Sequence, residues 1–108
     1  MSETATTTDY DETLQEALDL WGKELQIDVA IEELSELITE LARIQRGTRS
    51  HASNEHLVDE LADVEIIHGQ LKRIVGPGRV ESRKAEKVER LRERIEDEYE
   101  SIERASDQ

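Results

Sequence analysis

At 108 residues the chain has room for one domain with a modest core, and its single proline, five glycines and abundant helix formers point to an all-α protein. The lack of cysteine excludes a disulfide framework, a thiolate metal site and a thiol nucleophile. A formal charge of −13, from 27 acids against 14 bases, repels phosphate backbones and anionic lipid, so neither nucleic acid nor membrane is expected as a partner. Only four of the 14 bases are lysine and aromatics make up 3% of the chain. Such a surface suits a high-salt cytoplasm, where screening suppresses self-repulsion. No apolar run reaches the length of a membrane span, and the opening residues lack the basic and apolar parts of a signal peptide. The expected compartment is the cytoplasm.

Residues 1–9, small and polar, read as a disordered tail. The domain proper is expected over residues 10–102, with a C-terminal tail at 103–108. A first helix is predicted over residues 11–21, where Leu14, Ala17, Leu18 and Trp21 recur at helical spacing; Gly22 breaks or bends it. A second runs from about residue 24 to 46 and stops at Gly47. Its apolar stripe is Ala30, Leu34, Leu37, Leu41 and Ile44. After a polar loop, Ser53 or Asn54 is the expected N-cap of a third helix with Leu57, Leu61, Val64, His68, Leu71 and Val75 on one face. Gly76-Pro77-Gly78 breaks the chain, and a fourth helix is predicted from about residue 80 to 102. Its stripe is narrow (Val88, Leu91, Ile95, Tyr99, Ile102), and nearly every other position is charged. So narrow a stripe suits a helix lying on a bundle or pairing with another chain.

Two acidic pairs stand out by phase. At about 100° per residue, Glu33 and Glu36 lie one turn apart beside the stripe of the second helix, and Glu60 and Asp63 repeat the arrangement on the third. A short loop makes these helices antiparallel neighbours, with the pairs near enough in level to meet. Four carboxylates brought together repel one another, which calls for a cation between them. Oxygen-only donors suit Mg²⁺ or Mn²⁺ rather than zinc. The competing view is that these are solvated acids in an acidic protein; Glu93 and Glu96 form another such pair and are given no role. Glu65 and His68 have the E-x-x-H form of di-iron bundles, but it occurs once and points away from the acidic pairs.

The runs W-G-K-E-L-Q-I-D-V-A-I-E-E-L-S-E-L, D-E-L-A-D-V-E-I and K-V-E-R-L-R-E-R-I carry a resemblance to a known family. The chain resembles the MazG-like all-α nucleoside triphosphate pyrophosphohydrolases, whose pattern E-E-x-x-E followed by E-x-x-D is met here by Glu32, Glu33, Glu36 and Glu60, Asp63. The likeness spans about residues 21–95 and is closest to short single-domain members. It implies a four-helix bundle completed by dimerisation, as a homodimer or homotetramer. It also implies Mg²⁺-dependent cleavage of a nucleoside triphosphate to the monophosphate and pyrophosphate, with Mn²⁺ as substitute. By motif position Glu33, Glu36, Glu60 and Asp63 are the metal ligands, and Glu32 has a secondary catalytic role beside Glu33, positioning a water or a further ion.

Substrate contacts are assigned by position. Gln26, two turns before Glu33 on the same face, is either a nucleotide contact, as in the family pattern, or a plain surface glutamine. Trp21 either stacks on a base or packs. Lys87 fits the family's K-x-x-R-L pattern, and Lys84, like Arg83, has only its charge; all three are phosphate contacts or part of a solvated face. Base and sugar preference stay open, and a non-catalytic helical interaction module is the rival class.

Overall fold

The computed structural model describes residues 7–50 and 54–107 of the chain. All regular structure among them is α-helical: α1 Thr7–Trp21, α2 Lys23–Gln45, α3 Glu55–Val75 and α4 Pro77–Ser106. Residues 1–6 of the predicted tail lie outside this description, as does Ser53, while residues 7–9 open α1. No described helix is long and apolar enough to cross a membrane. The chain divides into two units, Met1–Ile74 and Val75–Gln108.

Glycines set the three joints. Gly22 (φ 84°), Gly47 (φ 80°) and Gly76 (φ 109°) occupy the left-handed region that a Cβ disfavours. At the end of α2 the Gly47 N–H donates to the Ile44 carbonyl and the Thr48 N–H and Oγ1 both donate to the Arg43 carbonyl, satisfying its last turn. Pro77 begins α4 at the one helical position where its missing N–H costs nothing, so the helix starts three residues before the expected Val80. At its far end no glycine or proline intervenes, and Ser101-Ile102-Glu103-Arg104-Ala105-Ser106 continues the helix through most of the expected C-terminal tail.

In the first unit α2 and α3 run antiparallel. Glu40 meets Asn54, Glu36 and Glu60 face each other, and Glu33 meets Asp63; numbers rise on one helix as they fall on the other. The residues of α2 most withdrawn from solvent are Gln26, Ala30, Glu33, Leu37, Glu40 and Ile44, alternating four and three apart. Those of α3 are Leu57, Glu60, Val64, Ile67, Gln70 and Ile74. This seam corrects the predicted one. Leu34, Leu41, Leu61, Val75 and His68 are exposed, because the apolar arc of α2 is wider than one packing face. α3 covers the side carrying Glu33 and Glu40, leaving Ile27, Ile31, Leu34, Ile38 and Leu41 as a second, uncovered stripe. α1 is tied to α3 by an ion pair from Arg73 Nη2 to Asp11 Oδ1 (2.8 Å) and a hydrogen bond from Arg73 Nη1 to Gln15 Oε1 (3.3 Å). At Gly69 the helices approach so closely that a Cβ would stand 2.7 Å from Leu14 Cδ1.

In the second unit α4 extends through thirty residues, none of them buried. Val88, Leu91, Ile95, Tyr99 and Ile102 form an exposed apolar stripe along it.

Candidate metal centre

Glu33 and Glu60 sit in the α2–α3 seam, and Glu36 and Asp63 stand at its exposed margin. Glu33 and Glu60 are partly withdrawn from solvent and Glu36 is exposed, and the three offer carboxylate oxygens that all lie within 4.8 Å of one another. Asp63 stands beside them, its charge bearing on both Glu33 and Glu60. Each acid is delivered by helical phase. Glu33 and Glu36 are one turn apart on α2, Glu60 and Asp63 one turn apart on α3, and the antiparallel register brings the two turns to one level.

The electrostatics are those of uncompensated like charge. Desolvation, then the charges of Glu36 and Asp63, raise the Glu33 carboxyl above its ordinary value, helped by the hydrogen bond with Asp63 and by Glu60. Desolvation again leads at Glu60, followed by Glu36, Asp63, Glu40 and Asp59. Glu33 Oε1 and Glu60 Oε1 are buried oxygens without a hydrogen-bond donor. The ion pairs of Arg43, Arg49, Arg73 and Lys84 go to Glu40, Asp11 and Glu81, outside this group. Buried acceptors ordinarily find a donor. Two orphaned oxygens beside two further carboxylates are a donor set that a hard divalent cation fits, with little closure needed to reach its coordination distances.

Beside the acids the seam opens into a cleft of about 410 Å³, whose lining includes Trp21, Gln26, Glu33, Asp63, Ile66 and Gln70. Its volume falls in the range of small-molecule sites, and its walls combine apolar surface with a few polar groups. Gln26 and Gln70 are 4% and 6% exposed, yet neither side-chain amide hydrogen-bonds to another described residue. Trp21 is 57% exposed, so its indole lines the cleft without being packed away. Of the residues singled out in the sequence, Trp21, Gln26, Glu33, Glu36, Glu60 and Asp63 are thus gathered in the first unit. Glu32 is exposed on α2, outside the carboxylate group. Lys84 and Lys87 belong to the second unit, where with Arg79 and Arg83 they line a groove of about 400 Å³. Lys84 Nζ lies 3.5 Å from Glu81 Oε1.

Gln70 and Glu40 are additions of the structure. Gln70 falls in the heptad seam of α3 opposite Gln26 and carries no sequence signal beyond that phase. Glu40 is 3% exposed and is held by two arginines and an asparagine. Arg49 Nη1 donates to Oε1 (3.2 Å) and Oε2 (3.4 Å), Asn54 Nδ2 donates to Oε2 (2.5 Å), and Arg43 Nη1 stands 3.8 Å from Oε1. Asn54 also accepts from the Leu57 N–H (3.2 Å), capping α3 as expected, and donates to the Ser50 carbonyl (3.1 Å). The Glu40–Asn54 contact therefore clamps the α2–α3 connection directly next to Glu60.

No protein-family model, curated protein or solved structure matches this chain.

Proposed function

We infer that the chain is a Mg²⁺-dependent nucleoside triphosphate pyrophosphohydrolase of the MazG-like kind, acting in nucleotide-pool housecleaning. The observation that carries the reading is the meeting of Glu33, Glu36 and Glu60 within 4.8 Å, two of them with orphaned oxygens, at one end of a cleft with a nucleoside-sized volume. An ion held by Glu33, Glu36, Glu60 and Asp63 supplies charge neutralisation for the triphosphate and activation of water. The chain's own part is orientation. Trp21 offers a face for the base, Gln26 and Gln70 offer amides to its polar edge, and the apolar walls formed by Leu25, Val29, Ile66 and Ile67 exclude water. Glu32, next to Glu33 and solvent-exposed, is positioned to orient a water or a further ion. The reaction consumes one water and yields the monophosphate and pyrophosphate. The uncovered stripe Ile27, Ile31, Leu34, Ile38 and Leu41 favours a homo-oligomer, since a continuous apolar face of this kind marks an interaction surface.

The same stripe is what favours the rival reading, a helical interaction module without catalysis. Pyrophosphate release separates the two. We expect release from at least one canonical or modified NTP or dNTP with Mg²⁺ or Mn²⁺, abolished by EDTA and by Glu36→Gln or Asp63→Asn in folded protein. The panel is run at low and at multimolar salt, and its ranking names the base and sugar. Folded protein that releases no pyrophosphate from any triphosphate at any salt overturns the catalytic reading.

A further inference from the structure

The charges of α4 are segregated along its length. Residues 77–94 carry seven bases and four acids, whereas residues 95–106 carry five acids and one base. The helix macrodipole gives no reason for this order, since it favours acids first and bases last. The apolar stripe has its own symmetry: Val88, Leu91, Ile95, Tyr99 and Ile102 are spaced three, four, four and three, identical when read outward from Ile95 in either direction.

We propose that α4 pairs antiparallel with α4 of a second copy of this chain, about a two-fold axis at Ile95. The axis sets Ile95 on itself, Val88 over Ile102 of the second copy and Leu91 over Tyr99 of the second copy, which buries all five exposed apolar residues in one seam of two heptads. The same axis matches the charges. Positions equidistant from Ile95 are Arg94 and Glu96, Arg92 and Glu98, Arg90 and Glu100, Lys87 and Glu103, Arg83 and Asp107, so five of the seven basic levels of one copy face an acidic level of the other. Glu93 and Asp97 share a level too, but point to the outer face, away from the seam. Flanking the seam, Arg92 and Glu96 stand on one side of the stripe and Arg94 and Glu98 on the other. A two-fold axis across the helix brings like side to like side. Arg92 therefore reaches Glu96 of the second copy and Arg94 reaches Glu98 of the second copy, each pair occurring twice. A parallel pair would set the basic block on the basic block. The charge order thus selects the antiparallel second copy over a parallel one. The inference does not depend on the catalytic reading.

Single-cysteine variants of the full chain, which has no cysteine of its own, read both the pairing and its axis. Under mild oxidation Ile95→Cys is expected to form a disulfide-linked dimer and Val88→Cys alone to stay uncrosslinked, while Val88→Cys with Ile102→Cys crosslinks. Arg92→Glu with Arg94→Glu is expected to weaken the dimer by about tenfold or more in sedimentation equilibrium, and adding Glu96→Arg and Glu98→Arg to restore it. Circular dichroism verifies that every variant remains helical. Self-crosslinking of Val88→Cys would mean a parallel pair and overturn the proposal. So would a monomer, or a dimer that Ile95→Cys fails to crosslink and the charge reversals leave unchanged.

Discussion

Replacing Asn54 by alanine removes three side-chain hydrogen bonds at once, to Glu40, to the Ser50 carbonyl and from the Leu57 N–H, and the sum of the first and last alone is large enough to measure. The side-chain oxygen caps α3 through the Leu57 N–H, a cap whose loss costs about 1 kcal/mol. The amide donates to Oε2 of Glu40, a carboxylate almost wholly out of water, and a hydrogen bond to such a charge contributes about 1.5–3 kcal/mol. Arg49 and Arg43 stay with Glu40 after the substitution, which places the second figure toward its lower end. The expected loss is about 3 kcal/mol, a drop in melting temperature on the order of 15 °C for a domain of this size. Asn54→Ser divides the total, since the hydroxyl can still accept from Leu57 but is too short to replace the amide at Glu40; about 2 kcal/mol should be lost. Urea unfolding followed by helical circular dichroism measures both, with the slope against denaturant checked for constancy. An Asn54→Ala chain within about 0.5 kcal/mol of the parent would refute the reasoning, because the loss of a helix cap together with a hydrogen bond to a buried carboxylate cannot be so cheap.

Three further outcomes follow from the carboxylate group and its cleft. Glu60→Gln is expected to abolish Mn²⁺ binding in calorimetry while leaving the metal-free chain at least as resistant to urea as the parent, since one repelling charge is gone. A variant that binds Mn²⁺ as before would remove Glu60 from the site. The pH dependence has a definite sign. Glu33 and Glu60 are raised above 4.5, so the stability they contribute is fully present below that pH and is lost as pH climbs through their raised values. The metal-free chain should therefore gain stability on descent from neutrality toward 4.5, less so in Glu33→Gln, while Mn²⁺ affinity falls over the same interval as protons compete. Finally, the single tryptophan reports on the cleft: a bound nucleotide should quench Trp21 fluorescence, and Trp21→Ala should raise KM several-fold with a smaller effect on kcat. An unchanged emission at saturating nucleotide would place the base elsewhere.

The helices were legible because their punctuation is local. Gly47 ends α2 and Asn54 caps α3 through bonds within five residues of themselves. Pro77 misled in the other direction: read as a breaker, it serves as a starter, since its ring conflicts only with a turn preceding it. The acidic group was legible as phase: Glu33, Glu36 and Glu60 come together, with Asp63 next to Glu33. The packing face was not. α2 carries apolar side chains over more of its circumference than one neighbour covers, and sequence cannot say whether Leu34 and Leu41 or Ala30 and Ile44 will be the ones buried. Glu40 was hidden for a related reason. In isolation it is another acid four residues from the last, and only Arg49, nine residues on, and Asn54, fourteen residues on, distinguish it from the surface.

That pairing has a bearing on how the chain is held together. Two of its arginines are engaged by Glu40 and a third by Asp11, so these three cations are taken up outside the group of Glu33, Glu36, Glu60 and Asp63. On the proposed function a divalent ion would relieve the repulsion within that group, and an ion that binds only the folded form adds about 2.7 kcal/mol at a hundred times its dissociation constant. On that reading a divalent metal would be a folding ligand as much as a reagent. The unfolding temperature would then gauge free ion concentration, readable with no substrate present.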